Sequence, residues 1–148
     1  MQAGDLMTTP VVTIVVNATV GEAAELMMSR QLSCLPVVDG DDHLVGMLTH
    51  SDFLPRRRFL PLADHLYTLL GAWVTPSTIE EIANEVRSKT VRDVMKPHVI
   101  TVKEDAPISE IIEKMLERDV HRLPVIRGDK MVGIITRHDL LKLMTSTL

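Results

Sequence analysis

The sequence predicts a mixed α/β (α+β) fold: two pseudo-symmetric β-α-β-β-α repeats packed through their sheets, with a partly helical linker. Three observations carry this expectation. The chain matches itself at an offset of 88 residues. Asp5 to Asp41 falls on Asp93 to Asp129, and once an extra turn residue, assigned to Asp42, is removed, the match runs on to Leu54 and Leu141, with 19 identities in 49 aligned positions. Each copy alternates short β-branched runs with a helical period. A copy of about fifty residues buries too little surface to be comfortable alone, so two copies are expected to share one core.

Element by element, each copy opens on a β-rich run, Val11 to Val16 and Val99 to Val102. A helix follows, Val20 to Gln31 and Ile108 to Asp119. Thr19 and Glu22 have the spacing of a capping box, and Pro107 stands where a helix start tolerates proline. Ile108, Ile111, Ile112, Met115 and Leu116 recur at helical spacing, so one face is buried. LPVVD and LPVIR read as a buried strand, and a turn with Gly40 or Gly128 leads to a second strand, HLVGMLT and KMVGIIT. The two strands are close enough to form a hairpin. A closing helix starts near Ser51 and His138. The expected division is 1–55 for the first repeat, 56–90 for the linker and 91–148 for the second repeat.

The linker is too apolar to hang free. Leu60, Leu62, Leu66, Leu69, Leu70 and Trp73 mark an amphipathic stretch, and Ser77 to Arg87 reads as a helix with Ser77 or Thr78 as cap and Glu80 and Glu81 in its first turn. The linker is expected to pack on the body or on a second subunit. Arg56-Arg57-Arg58 reads as a solvated helix end or as a phosphate contact.

Composition excludes several function classes. Of 148 residues, 45% are hydrophobic and 24% charged, a globular balance. Net charge is −4 and aromatics are 3%, which argues against a nucleic-acid partner. No apolar run approaches the ~20 residues of a membrane span. MQAGDLMTTP has no secretory pattern, and a lone cysteine, Cys34, fits a reducing compartment, so a cytoplasmic location is expected. One cysteine also excludes a cysteine-rich zinc site. His43, His65 and His98 have no second ligand at metal spacing, so no metal is expected. Cys34 has no identifiable base beside it and reads as packing. With no nucleophile–base pair and no glycine-rich phosphate loop, the chain is expected not to be an enzyme and to require no cofactor.

The residues that point to a ligand lie where each hairpin ends. Both copies run from a glycine-bearing strand into Thr-x-x-Asp: Thr49 and Asp52, Thr136 and Asp139. One reading is helix capping. The other uses the same geometry for a sugar–phosphate ligand, with the threonine and helix amides holding phosphate and the aspartate accepting two vicinal hydroxyls. His121 and Arg122 open a buried strand and supply cations suited to phosphate, with Arg137 nearby; Ser33 and Cys34 occupy the matching places in the first copy. A salt bridge to a surface carboxylate is the alternative for His121 and Arg122. Val12, Thr13, Ile100 and Thr101 offer walls and backbone for a flat base.

M-x-x-x-V-x-T, then L-P-V-V/I-x-G, then V-G-x-h-T-x-x-D (h apolar), in tandem, resembles a pair of cystathionine-β-synthase (CBS) domains, a Bateman module. The resemblance covers nearly the whole chain apart from the linker. It implies two clefts between the repeats that bind adenosine-containing ligands: AMP, ADP, ATP, S-adenosylmethionine or NAD. It implies Asp52 and Asp139 at the ribose, Thr49 and Thr136 at the phosphate, and Val12, Thr13, Ile100 and Thr101 near the adenine. The stretch from His121 to Val125 also resembles the phosphate-binding stretch of the regulatory subunit of AMP-activated protein kinase, while Ser33-Cys34 departs from it. A homodimer and a separate regulated protein are implied as partners. The competing expectation is a ligand-free interaction module whose Thr-x-x-Asp motifs only cap helices.

Overall fold

A computed structural model describes residues 1–53 and 76–145. The basic run Arg56-Arg57-Arg58, His65 and the amphipathic stretch Leu60 to Trp73 lie outside the described residues. In chain order the elements are α1 (Ala3–Leu6), β1 (Ile14–Val15), α2 (Val20–Ser29), β2 (Cys34–Val38), β3 (Leu44–Thr49), a 3-10 turn (His50–Phe53), α3 (Pro76–Ser88), α4 (Val91–Val94), β4 (Val102–Lys103), α5 (Ile108–Glu117), β5 (Arg122–Arg127), β6 (Lys130–Thr136) and α6 (Arg137–Thr145). They form two three-stranded sheets, ordered β1-β2-β3 and β4-β5-β6, in a mixed α+β architecture.

The long helices start and stop for local reasons. Thr19 Oγ1 accepts from the Glu22 amide at 3.1 Å while Glu22 Oε2 accepts from the Thr19 amide at 2.8 Å, the reciprocal capping box. Pro107 is the residue just ahead of α5, with φ −70°. Both helices end on a non-glycine residue in the left-handed region, Gln31 at φ 52° and Asp119 at φ 49°, at matching places in the repeat. In each, the next amide reaches back five residues, Leu32 to Met27 at 2.8 Å and Val120 to Met115 at 3.1 Å, so the last carbonyls are satisfied in a Schellman pattern. Helix α3 starts at Pro76, a residue whose fixed φ suits a first helical position. Ser77 and Thr78, expected as its cap, therefore fall inside its first turn.

The β runs at the head of each repeat are shorter than expected. Only Ile14–Val15 and Val102–Lys103 pair as strands. Val11, Val12 and Thr13, and likewise Val99, Ile100 and Thr101, are half-buried without a ladder, because a β-branched residue fits a half-covered surface whether or not its backbone pairs. The hairpin turns also differ. Gly128 takes φ 63°, whereas in the first copy Asp42, the extra residue, takes φ 62°.

Contacts divide the chain into unit I (Met1–Thr13, Val38–Val45, His98–Leu148) and unit II (Ile14–Val37, Gly46–Pro97). In unit I the N-terminal arm joins the second repeat. The Ala3 amide donates to Ala106 O at 2.8 Å, the Gly4 amide to Glu104 O at 2.9 Å, and Thr8 pairs with Ile134 as an extra bridge beside β6. Ala3 and Leu6 complete a core of Val102, Ile111, Met115, Leu123, Val125 and Ile135. In unit II the head of the second repeat does the same for the first. The Val91 amide donates to Ala18 O at 2.8 Å, and Met47 and Lys96 pair as a bridge. The glycine of each V-G dipeptide makes room for the arm. A Cβ on Gly133 would strike Met7, and one on Gly46 would strike Met95, the methionine at the matching place.

Candidate functional site

In unit I, strand direction gathers the expected residues. β4 runs parallel to β5, with Val102 beside Val125, and β6 runs antiparallel to β5, with Thr136 beside Arg122. The start of β4, the start of β5 and the end of β6 therefore share one end of the sheet. Ile100 and Thr101 lead into β4 there, His121 and Arg122 open β5, and Thr136, Arg137 and Asp139 close β6 and start α6. The Arg137 amide donates to His121 O at 3.0 Å, which extends the hairpin by one pair. His121 and Arg137 are exposed, and Arg122 is half-buried. Arg137 Nη2 lies 3.4 Å from the exposed Asp119 carboxylate, a loose surface contact.

Asp139 is the buried charge of this end, only 3% exposed. Its Oδ2 accepts from the Thr136 amide at 2.8 Å and from Thr136 Oγ1 at 2.9 Å. Its Oδ1 accepts from Lys142 Nζ at 2.6 Å, and Thr8 Oγ1 donates to it at 3.4 Å. Burial pushes the carboxyl pKa up, but the hydrogen bonds from Lys142 and Thr136 and the lysine charge outweigh it and hold the group below its ordinary value. Capping is thus realised, and the same atoms present an ionised carboxylate at the sheet end that also carries Arg122, Arg137 and His121.

Unit II repeats the capping with different neighbours. Asp52, 6% exposed, accepts at Oδ2 from the Thr49 amide at 2.7 Å and Thr49 Oγ1 at 3.1 Å. His50 Nε2 lies 3.2 Å from Leu32 O. Ser33 and Cys34 open β2, where the second repeat has His121 and Arg122. Val12 and Thr13 belong to unit I, not to the unit that holds Thr49 and Asp52.

Two partners of Asp139 are not among the residues singled out from the sequence. Lys142 sits one helical turn beyond it, a spacing that signals a pair on the same helix face. Thr8 is 131 residues away and reaches Asp139 only because the arm lies along β6, so no local pattern announces it. Two further features lie elsewhere in unit I. A cavity of about 680 Å³ at the opposite end of the second sheet is walled by Asp5, Lys103, Glu104, Asp105 and Arg127, with the Glu104–Arg127 pair bidentate at 2.6 Å. Its charges are mixed, so it offers no net attraction to an anion. In the first hairpin turn, ligand-type atoms of Asp39, Asp41 and His43 come within 4.8 Å of one another. The turn itself accounts for them, since Asp39 Oδ1 accepts from the Asp41 and His43 amides at 2.9 and 3.0 Å. Among the described residues no helix is long and apolar enough to cross a membrane.

The chain is built as two tandem α+β repeats, each closing on Thr-x-x-Asp. The chain belongs to the CBS domain family: the family model matches residues 3–57 and 91–146. It is 33% identical over 142 residues to an inosine-5'-monophosphate dehydrogenase of Methanocaldococcus jannaschii, covering 95% of this chain and 23% of that protein. The chain thus spans well under two thirds of that relative's length. Among solved structures it is similar to the CBS domain of a CBS domain-containing membrane protein from Sphaerobacter thermophilus, with 35% identity, a TM-score of 0.76, and 97% and 87% of the two chains covered. It is also similar to the CBS domain pair of protein MJ0100, solved in complex with 5'-methylthioadenosine and S-adenosyl-L-methionine, with 25% identity, a TM-score of 0.69, and 98% and 96% covered.

Proposed function

We propose that the chain is a non-catalytic regulatory module that binds an adenosine-containing nucleotide at the Asp139 end of the second sheet and passes its occupancy to a partner protein. One observation carries the reading. A buried, ionised Asp139 and the hydroxyl of Thr136 share a sheet end with Arg122, Arg137 and His121. A pentose diol needs the acceptor and a phosphate needs the cations. Ile100 and Thr101 at the same end supply an apolar wall for the base. The ligand complex of the MJ0100 pair supports the adenosyl class. Thr49 and Asp52 form the corresponding acceptor in the first repeat, with Ser33 and Cys34 in place of the cations, so phosphate affinity belongs to the second. We further propose a cytoplasmic homodimer. Ile112, Leu116, Leu141 and Met144 are large apolar side chains at least 40% exposed, and a second copy would cover them.

Isothermal titration with AMP, ATP, S-adenosylmethionine and NAD tests the reading. At least one is expected to bind, and Asp139→Ala and Arg122→Ala are expected to weaken it at least ten-fold, since each removes a charged hydrogen-bonding group worth about 1.5–3 kcal/mol. Equal affinity in all three proteins defeats the residue assignment. A second reading, a ligand-free interaction module, is favoured by the fully engaged carboxylate of Asp139. Under it, none of the four compounds raises the melting temperature.

A further inference from the structure

The Asp139 carboxylate offers about four acceptor positions, and four donors already face it: the Thr136 amide, Thr136 Oγ1, Lys142 Nζ and Thr8 Oγ1. Oδ2 is built into the turn, because the Thr136 contacts are what start α6. Oδ1 is held from outside that turn, by a lysine whose side chain is 56% exposed and by a threonine of the N-terminal arm. A diol therefore reaches Asp139 only by taking Oδ1 from Lys142 and Thr8. We propose that Lys142 is a latch on the nucleotide site: its ammonium occupies the oxygen a ribose must take, and ligand affinity is set by that exchange. The proposal rests on the reading of Asp139 as the ribose acceptor.

The geometry gives the latch its character. At 2.6 Å the Lys142 contact is a short charge-assisted bond, and the 3.4 Å contact from Thr8 is weak, so the lysine dominates. The stem is anchored one turn along α6 and the lysine side chain as a whole is 56% exposed, so the ammonium can exchange Asp139 for water without moving the helix. The sequence does not repeat this pair of donors. The positions matching Lys142 and Thr8 in the repeat are Pro55 and Lys96.

Calorimetric titration of the full chain with adenosine and with AMP tests this, in wild type, Lys142→Met, Lys142→Arg and Thr8→Val, with a thermal melt of each variant as the folding control. Lys142→Met keeps the stem and removes the donor, and is expected to bind adenosine about ten-fold tighter. Lys142→Arg keeps a cationic donor and is expected to stay within about two-fold of wild type, and Thr8→Val should give a gain of about two- to three-fold, as for one weak neutral hydrogen bond. Adenosine is the deciding probe, because it carries no phosphate on which loss of a cation would act. Should wild type bind adenosine and Lys142→Met bind it equally or more weakly, the latch is overturned while the nucleotide reading stands. Should no protein bind either compound, the latch is overturned, and the nucleotide reading falls with it if ATP, S-adenosylmethionine and NAD also fail to bind.

Discussion

Replacing Gly133 by alanine tests whether the N-terminal arm is a structural part of the second repeat. The added methyl would meet three atoms of Met7: its sulfur, its Cγ at 2.7 Å and its Cβ at 2.9 Å. The first two belong to a flexible thioether that can rotate away. The Cβ cannot, since it is one bond from a backbone whose next residue, Thr8, is tied to Ile134 by hydrogen bonds of 2.8 and 3.3 Å. Relief requires the arm to shift. Overpacking of this kind costs about 1–3 kcal/mol, and exchanging a strand glycine for alanine returns about 0.5–1 kcal/mol, leaving a net loss of up to about 2.5 kcal/mol. At this chain length that lowers the melting temperature by up to roughly 10 °C. Gly46→Ala is the internal comparison. It meets the Met95 sulfur, Met95 Cγ at 3.1 Å and Lys96 O at 3.1 Å, a looser fit, so its cost is expected to be smaller. Thermal melts combined with a Met7→Gly double-mutant cycle give the decisive number. The methyl should be nearly harmless once Met7 has no side chain, a coupling of at least ~1 kcal/mol. Additive costs in that cycle would refute the packing of the arm against β6.

Asp139 should leave a signature in acid. Its folded pKa lies below the unfolded value, so the unfolded chain binds the proton more readily and stability rises with pH through that window. The contribution is complete above about pH 4, the ordinary carboxylate value, and is lost as pH falls through the folded value; urea midpoints measured across that range should flatten in Asp139→Asn. Thr19→Ala should cost about 1 kcal/mol by removing one half of the capping box of α2, read as a lower urea midpoint with an unchanged slope, and an unaltered midpoint would show that the box is ornamental.

Local features were legible because local forces set them. The capping box at Thr19 and Glu22, the buried face through Ile111 and Met115, and the turn residue Asp42 each follow from spacing within a few residues. The β runs were over-read, since Val11 and Val99 advertise β-branching while only the residues after them find ladder partners. The arms were not legible as packing elements. Met7 and Gly133, or Met95 and Gly46, meet across most of a repeat or more. The one hint was that both copies keep the same methionine and the same glycine. For the site, the aspartates and threonines were visible and Lys142 was within reach of a helix-spacing argument. Thr8 was not, because its contact depends on an arm whose place only the packing reveals.

The two Thr-x-x-Asp turns also separate folding from function. Asp52 and Asp139 both accept from the amide and hydroxyl of the threonine three residues earlier, at nearly the same distances. A feature that serves the fold equally in both copies cannot by itself say which copy binds. The difference must come from what surrounds it. Arg122, Arg137 and His121 share the sheet end with Asp139, and Lys142 bonds to it; the residues that match these four in the sequence of the first repeat are Cys34, His50, Ser33 and Pro55. Cationic donors hold phosphate more strongly than neutral ones, so under the proposed reading the charge of a nucleotide is expected at the second repeat. The lysine that latches Asp139 also helps to keep its carboxylate ionised, so the group that competes with a ribose is one of those that keep its acceptor charged.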